Sequence, residues 1–154
     1  DTMIRVQREP FDTGAELTAL KAGKSNIGGT VVFLGTVRDI SGGGAVSAMT
    51  LEHYPGMTER ALSDIEAEAL RRWPLDASLI IHRYGRLEPG DDIVLVITAS
   101  AHRDAAFDAC HFLIDWLKTK APFWKLEEGA QGQTWVAAKD SDDEAAARWE
   151  TPQP

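Results

Sequence analysis

Cysteine is almost absent from this chain: Cys110 stands alone, so no internal disulfide can form and a cysteine-rich metal site is excluded. Long apolar runs are missing too. No segment approaches the ~18 residues that a membrane-spanning helix needs, and the N-terminus lacks a basic stretch followed by an apolar one and a cleavage site. A soluble, cytoplasmic protein is expected, with Met3 as its native start and Asp1 and Thr2 as an added remnant. Basic side chains are in short supply: 24 acids against 16 bases leave a formal charge of -8, which argues against nonspecific binding to nucleic acid or to an anionic membrane. Any anion has to be held locally. Repeats, linkers and low-complexity tracts are also lacking, and 154 residues, 44% of them hydrophobic, make one domain with a real core but are few for two. A single domain over residues 3–150 with a frayed tail at Thr151–Pro154 is expected.

What is present has readable periodicity. Ile4 and Val6 alternate with polar residues as in a short strand, and Glu16–Lys21 behind Thr13 reads as a brief capped helix. Thr30–Val37 is β-branched and apolar and Ser47–Tyr54 alternates, so both read as strands, joined through a glycine loop at Ser41–Gly44 that is expected to be mobile. Pro55–Gly56 makes a turn, after which Leu62, Ile65, Ala69 and Trp73 recur at helical spacing until Pro74 stops them. Ala77–Tyr84 and Asp92–Ser100 form a hairpin across the turn chemistry of Gly85–Gly90. A second long helix runs from Arg103 to about Thr119, with Ala106, Cys110, Leu113 and Leu117 on its apolar stripe, and Pro122 forces an exit. Phe123–Glu128 and Thr134–Ala137 are short strands, and Asp142–Trp149 is a short terminal helix. Hairpin strands with helices inserted between groups of them indicate an α+β fold with a largely antiparallel sheet.

Three segments carry candidate chemistry. Trp116–Lys125 holds three lysines and no acid in a chain where acids outnumber bases. Such lysines complement a helix dipole and solvate the helix end; clustered cations also depress one another's pKa, which brings a neutral, nucleophilic lysine within reach of pH 7. Two aromatics beside them offer the wall of a flat-ring pocket. Ser100–Arg103 falls where a strand enters a helix, so free backbone N–H groups, His102 and Arg103 suit a phosphate there, or else Ser100 simply caps the helix. Arg38 ends the strand that enters the glycine loop, but Gly42–Gly44 lacks the lysine and hydroxyl of a P-loop. His53, His82 and His111 have no metal-ligand spacing and read as structural or surface residues, so no metal or other cofactor is expected. Cys110, among small apolar neighbours, reads as packed.

Leu51–Glu59 (LEHYPGMTE), Ser100–Arg103 (SAHR) and Leu117–Lys125 (LKTKAPFWK), with Gly35–Arg38, Arg72–Pro74, His82–Arg83 and Pro89–Asp91, together resemble the molybdopterin synthase large-subunit family over roughly residues 4–149. That resemblance implies an α/β hammerhead fold and a homodimer within a heterotetramer, with one small ubiquitin-like sulfur carrier at each end. The carrier's C-terminal Gly-Gly thiocarboxylate would thread into a pocket of the large subunit. Two sulfur transfers to cyclic pyranopterin monophosphate would then make the dithiolene of molybdopterin. Position by position, the resemblance makes Lys118 and Lys125 the active-site lysines. It puts substrate contacts at Thr36, Val37, Arg38, His102, Arg103, Lys118, Lys125, Leu126 and Glu127. Leu126 stands where some relatives carry a basic residue. Without the resemblance, the same basic groups also fit a noncatalytic module that binds a phosphorylated metabolite or a ubiquitin-like partner.

Overall fold

The computed structural model describes residues 2–41, 44–129, 132–136 and 140–150. The expected tail at residues 151–154 and the centre of the glycine loop, residues 42–43, lie outside the described residues. In chain order the elements are β1 (Thr2–Gln7), α1 (Thr13–Lys21), β2 (Gly29–Thr36), β3 (Ile40–Ser41), β4 (Gly44–His53), α2 (Met57–Arg72), β5 (Ala77–Arg83), β6 (Gly85–Leu87), β7 (Asp92–Ser100), α3 (Arg103–Lys120), β8 (Phe123–Gly129), β9 (Gly132–Val136) and α4 (Asp140–Ala147). They build two sheets, one in the order β1-β5-β7-β2 and a second in the order β3-β4-β8-β9 with β6 also on β4. The fold is α+β and mainly antiparallel, β1 on β5 being the parallel pair among the described residues.

The first sheet is covered on both faces, which explains why its central strands read as continuous apolar runs. Ile80, Val94 and Val96 pack against Leu62 and Ile65 of α2 and Phe112 and Leu113 of α3. Their neighbours Leu79, Ile81, Leu95 and Ile97 face the other way, toward Phe11, Leu17 and Leu20 at α1. Each such side chain contributes about 1.5–3 kcal/mol by leaving water. The cap of α1 is Asp12, whose Oδ1 accepts from the N–H of Ala15 at 3.0 Å, one residue before the expected Thr13. An aspartate satisfies the free first-turn donors as well as a threonine does.

A third cluster of Val37, Met49, Leu51 and Leu87, with Tyr84, Ile93 and Phe123 against it, fills the seam between the sheets. It forms because the chain changes sheets after β2: β3 and β4, which follow it, enter the second sheet. The expected hairpin of β5 and β7 is present, but its connection contains β6, which reaches across to pair with β4.

Candidate active site

The segments singled out in the sequence dock onto one another, and they do so at two separate ends of the first sheet. At one end, the N–H of Val37 donates to the carbonyl of Asp91 at 2.9 Å and the N–H of Gly90 donates back to Val37 at 2.8 Å. This locks Gly35–Arg38 onto the turn at Pro89–Asp91, where Gly90 takes the left-handed conformation (φ 94°) that glycine tolerates. Thr36 Oγ1 donates to Asp92 Oδ1 at 3.1 Å, and Arg83 donates to the Asp92 carbonyl at 3.0 Å. Arg38 is left exposed just beyond.

The segment from Leu51 to Glu59 is the scaffold for the lysines. Leu51 lies opposite Lys125 in the antiparallel ladder and His53 lies opposite Phe123. The fully buried Thr58 hydroxyl accepts from the N–H of Tyr54 at 3.1 Å and donates to the Pro122 carbonyl at 3.2 Å. Gly56, at φ 86°, starts α2 with its N–H held by Glu59 Oε1 at 3.0 Å. Pro122 is thereby pinned at the point where α3, which carries Lys118, stops and β8, which carries Lys125, begins. Lys118 is exposed in the last turn of α3, and Lys125 is half-buried on β8. Residue alternation puts Lys125 on the face of β8 that Phe123 and the seam cluster share. The charge of Lys118 reaches the buried ring of His82, which stacks on Phe123 at 3.9 Å. Around the seam, Lys125 stands opposite Leu51 of the seam cluster, Arg38 follows Val37 of the same cluster, and Lys118 acts on His82.

His102 and Arg103 lie at the other end. His102 is the N-cap residue of α3 and makes no side-chain cap; Arg103 opens the helix, and both side chains are exposed. Ser100 is buried, and its hydroxyl donates to the Pro74 carbonyl at 2.7 Å, so it ties the segment to Arg72–Pro74 instead of capping the helix. The start of β2 presses on this corner: a Cβ on Gly28 would fall 2.0 Å from the Ala101 carbonyl oxygen, and one on Gly29 would fall 3.1 Å from Arg103 Cα. Because α3 returns along the sheet from the end of β7, its first and last turns sit at opposite ends of β2.

Other expected contributions are redirected. Phe123 and Trp124 do not form one wall, since successive strand residues face opposite ways: Phe123 turns to His82, whereas Trp124 meets the Tyr54 ring at 4.6 Å. Leu126, opposite Thr50, follows Trp124 onto the face away from Lys125, and Glu127 takes its ladder place opposite Met49. Cys110 is 2% exposed, and burial pushes its thiol up to about 12, a little relieved by a hydrogen bond with Thr98. What sequence reading missed is the company of the lysines: His82 and His53 beside Phe123 and Tyr84, for which the sequence signals were the histidine within LEHYPGMTE and the His82–Arg83 match.

The comparisons with known proteins bear on the family and the fold. Residues 6–120 match the MoaE protein family. A protein of Pseudomonas aeruginosa named molybdopterin synthase catalytic subunit is 59% identical over 147 residues, covering 96% of this chain and 98% of the relative. Among solved structures, the molybdopterin biosynthesis MoaE protein from Burkholderia ambifaria superposes with a TM-score of 0.84 at 52% identity, over 98% of this chain and 99% of the other. A molybdopterin synthase from Staphylococcus aureus gives a TM-score of 0.79 at 31% identity, over 86% and 96%. Among the described residues no helix is long and apolar enough to cross a membrane. With a match across most of its length and close relatives covered end to end, the chain belongs to the MoaE protein family.

Proposed function

We propose that the chain is the catalytic subunit of a molybdopterin synthase and acts there as a sulfurtransferase in the cytoplasm. The observation that supports this reading is that the segments resembling the family are tied to one another by hydrogen bonds and strand pairing around the seam that Lys125 and the end of β2 border. The donor is the thiocarboxylate at the C-terminus of a small ubiquitin-like partner, and the acceptor is cyclic pyranopterin monophosphate. Both are anions, so the chain's local cations can hold them together against its overall charge of -8.

Chemistry at this seam asks for charge stabilisation and proton movement. The partner's sulfur attacks a pterin side-chain carbon and displaces the oxygen bonded there, which leaves as water or as the oxygen of the opening cyclic phosphate ester. Water then cleaves the acyl–sulfur bond, which leaves sulfur on the pterin and releases the partner as a carboxylate. A second thiocarboxylate repeats the step to complete the dithiolene. Lysine ammonium groups stabilise the oxyanion of the hydrolysis step and exchange protons with the attacking water. The sulfur arrives with the partner, so the buried Cys110 has no part in the transfer.

Incubation with thiocarboxylated small subunit and the cyclic pterin is expected to yield the dithiolene product. Tight binding of both without product would show a noncatalytic binding module instead. We further propose that the working form is a homodimer with one small subunit at each end, in which His102 and Arg103 of one copy complete the lysine pocket of the other.

A further inference from the structure

The lysine seam contains a row of rings around the buried His82 that sulfur transfer, as described, does not use. His82 on β5 is 6% exposed and lies nearly face to face with Phe123 of β8, ring centres 3.9 Å apart and planes 19° apart. Beyond Phe123 stands His53 of β4 at 6.3 Å, then Tyr84 at 4.3 Å from His53, with the Arg8 guanidinium 4.8 Å over the tyrosine ring. This row of rings crosses from the first sheet to the second. Nδ1 of His82 lies 2.9 Å from the Arg83 carbonyl, to which it donates, so the ring's tautomer and rotation are both set. Phe123 is the first residue of β8, and its N–H donates to the Ala121 carbonyl at 2.9 Å. Its seat therefore governs both the last turn of α3, which carries Lys118, and the start of β8, which carries Lys125.

We propose that His82 is a positioning residue for the lysine pair: anchored on the Arg83 carbonyl, its ring seats Phe123 and thereby aims Lys118 and Lys125 at the same acceptor. This rests on the reading of the two lysines as the reacting groups. A histidine suits the place because one edge bonds a carbonyl while the flat face stacks. Burial first, then the nearby His53 and Lys118, pull its pKa down to about 4 against the Arg83 hydrogen bond, which keeps a further positive charge away from Lys118. A misaimed pair should show in turnover more than in binding, since displacements of about 1 Å cost up to roughly a hundredfold in rate.

The test compares His82→Ala, His82→Phe and Lys118→Ala in the dithiolene assay, with activity expressed per folded molecule and small-subunit affinity measured separately. His82→Ala is expected to lower kcat by roughly tenfold or more with little change in KM for the pterin or in partner affinity. His82→Phe, which keeps a stacking face, is expected to recover most of that loss. Should His82→Ala not fold, Phe123→Leu removes the stack from its other side and is expected to lower kcat likewise. Normal kcat in the folded His82→Ala or Phe123→Leu protein overturns the proposal while an inactive Lys118→Ala upholds the site. Equal loss in His82→Phe and His82→Ala also overturns it, because a retained stacking face would then not be what seats Phe123. Normal turnover by Lys118→Ala overturns the reading of the site and the positioning role with it.

Discussion

Three lysines crowd one short segment, and their surroundings separate them. The Lys120 ammonium sits 5.0 Å over the Trp116 ring, which also packs on Phe112, so it is drawn toward the helix surface and away from the seam. Lys118, two residues earlier, is within reach of His82, and Lys125 stands opposite Leu51. Lys118→Ala is therefore expected to abolish or nearly abolish dithiolene formation with the circular dichroism spectrum unchanged, since an exposed helix-end lysine adds at most about 1 kcal/mol to stability. Lys125→Ala should be severe and Lys120→Ala mild; an indispensable Lys120 would refute the assignment. Cys110 makes the complementary case. A thiol only 2% exposed and raised to about 12 supplies almost no thiolate at neutral pH, so Cys110→Ser should leave sulfur transfer largely intact. The serine hydroxyl should lower the denaturation midpoint modestly, and a persulfide trapped on Cys110 during turnover would contradict the division of labour between the subunits.

The helices were legible because their apolar spacing matched the surfaces they cover. Ala106, Cys110, Leu113 and Leu117 all point into the core from α3, and Leu62, Ile65 and Ala69 do so from α2. The strands were legible as strands but not in their partners, because pairing depends on what a face meets and not on local periodicity. Nothing in Thr30–Val37 or Ser47–Tyr54 tells that they belong to separate sheets, and the three residues of β6 are too few to carry a pattern. Residue types at the site were visible for the same reason that its geometry was not: a lysine-rich segment shows in the sequence, but the hydrogen bond from Thr58 to Pro122 that aims it spans 64 residues. The docking of α4 is another such contact. Trp149 donates from Nε1 to Asp115 Oδ2 at 2.7 Å, and Trp116 donates to the Ala146 carbonyl at 3.1 Å, fixing the C-terminal helix to α3. Trp149→Phe would keep most of the apolar contact and strip a buried carboxylate of its donor. It is expected to lower unfolding stability by about 1–3 kcal/mol in urea titration, and an unchanged midpoint would show that His111 and Arg148, also beside Asp115, satisfy it alone.

At the scale of the whole molecule, the resemblance assigns one ligand to two places that a single copy keeps apart. Arg103 and Lys118 lie fifteen residues apart on α3, roughly 22 Å along the axis at ~1.5 Å per residue. The length of β2 says the same, for its start touches Arg103 and its end leads to Arg38, about 23 Å away at ~3.3 Å per residue. A pterin monophosphate is far shorter, so one subunit cannot clasp it with both ends. A second copy can close the gap. Among the described residues β2 pairs only with β7, leaving an open edge, and Val32 and Leu34 on it are 39% and 40% exposed, continuing the apolar face of Leu95 and Ile97 past the cover of α1. An antiparallel approach of β2 to its own copy about a two-fold axis, as the proposed homodimer requires, would bury that strip and set the Arg103 end of each subunit beside the Arg38 and Lys118 end of the other. Mixing Arg103→Ala with Lys118→Ala subunits, each inactive alone, then tests the arrangement. If pockets are shared, every mixed dimer has one pocket with both lesions and one with neither, so free exchange should restore about a quarter of the unmutated activity. If each subunit works alone, every pocket carries a lesion, and verified heterodimers with no activity would eliminate the shared site.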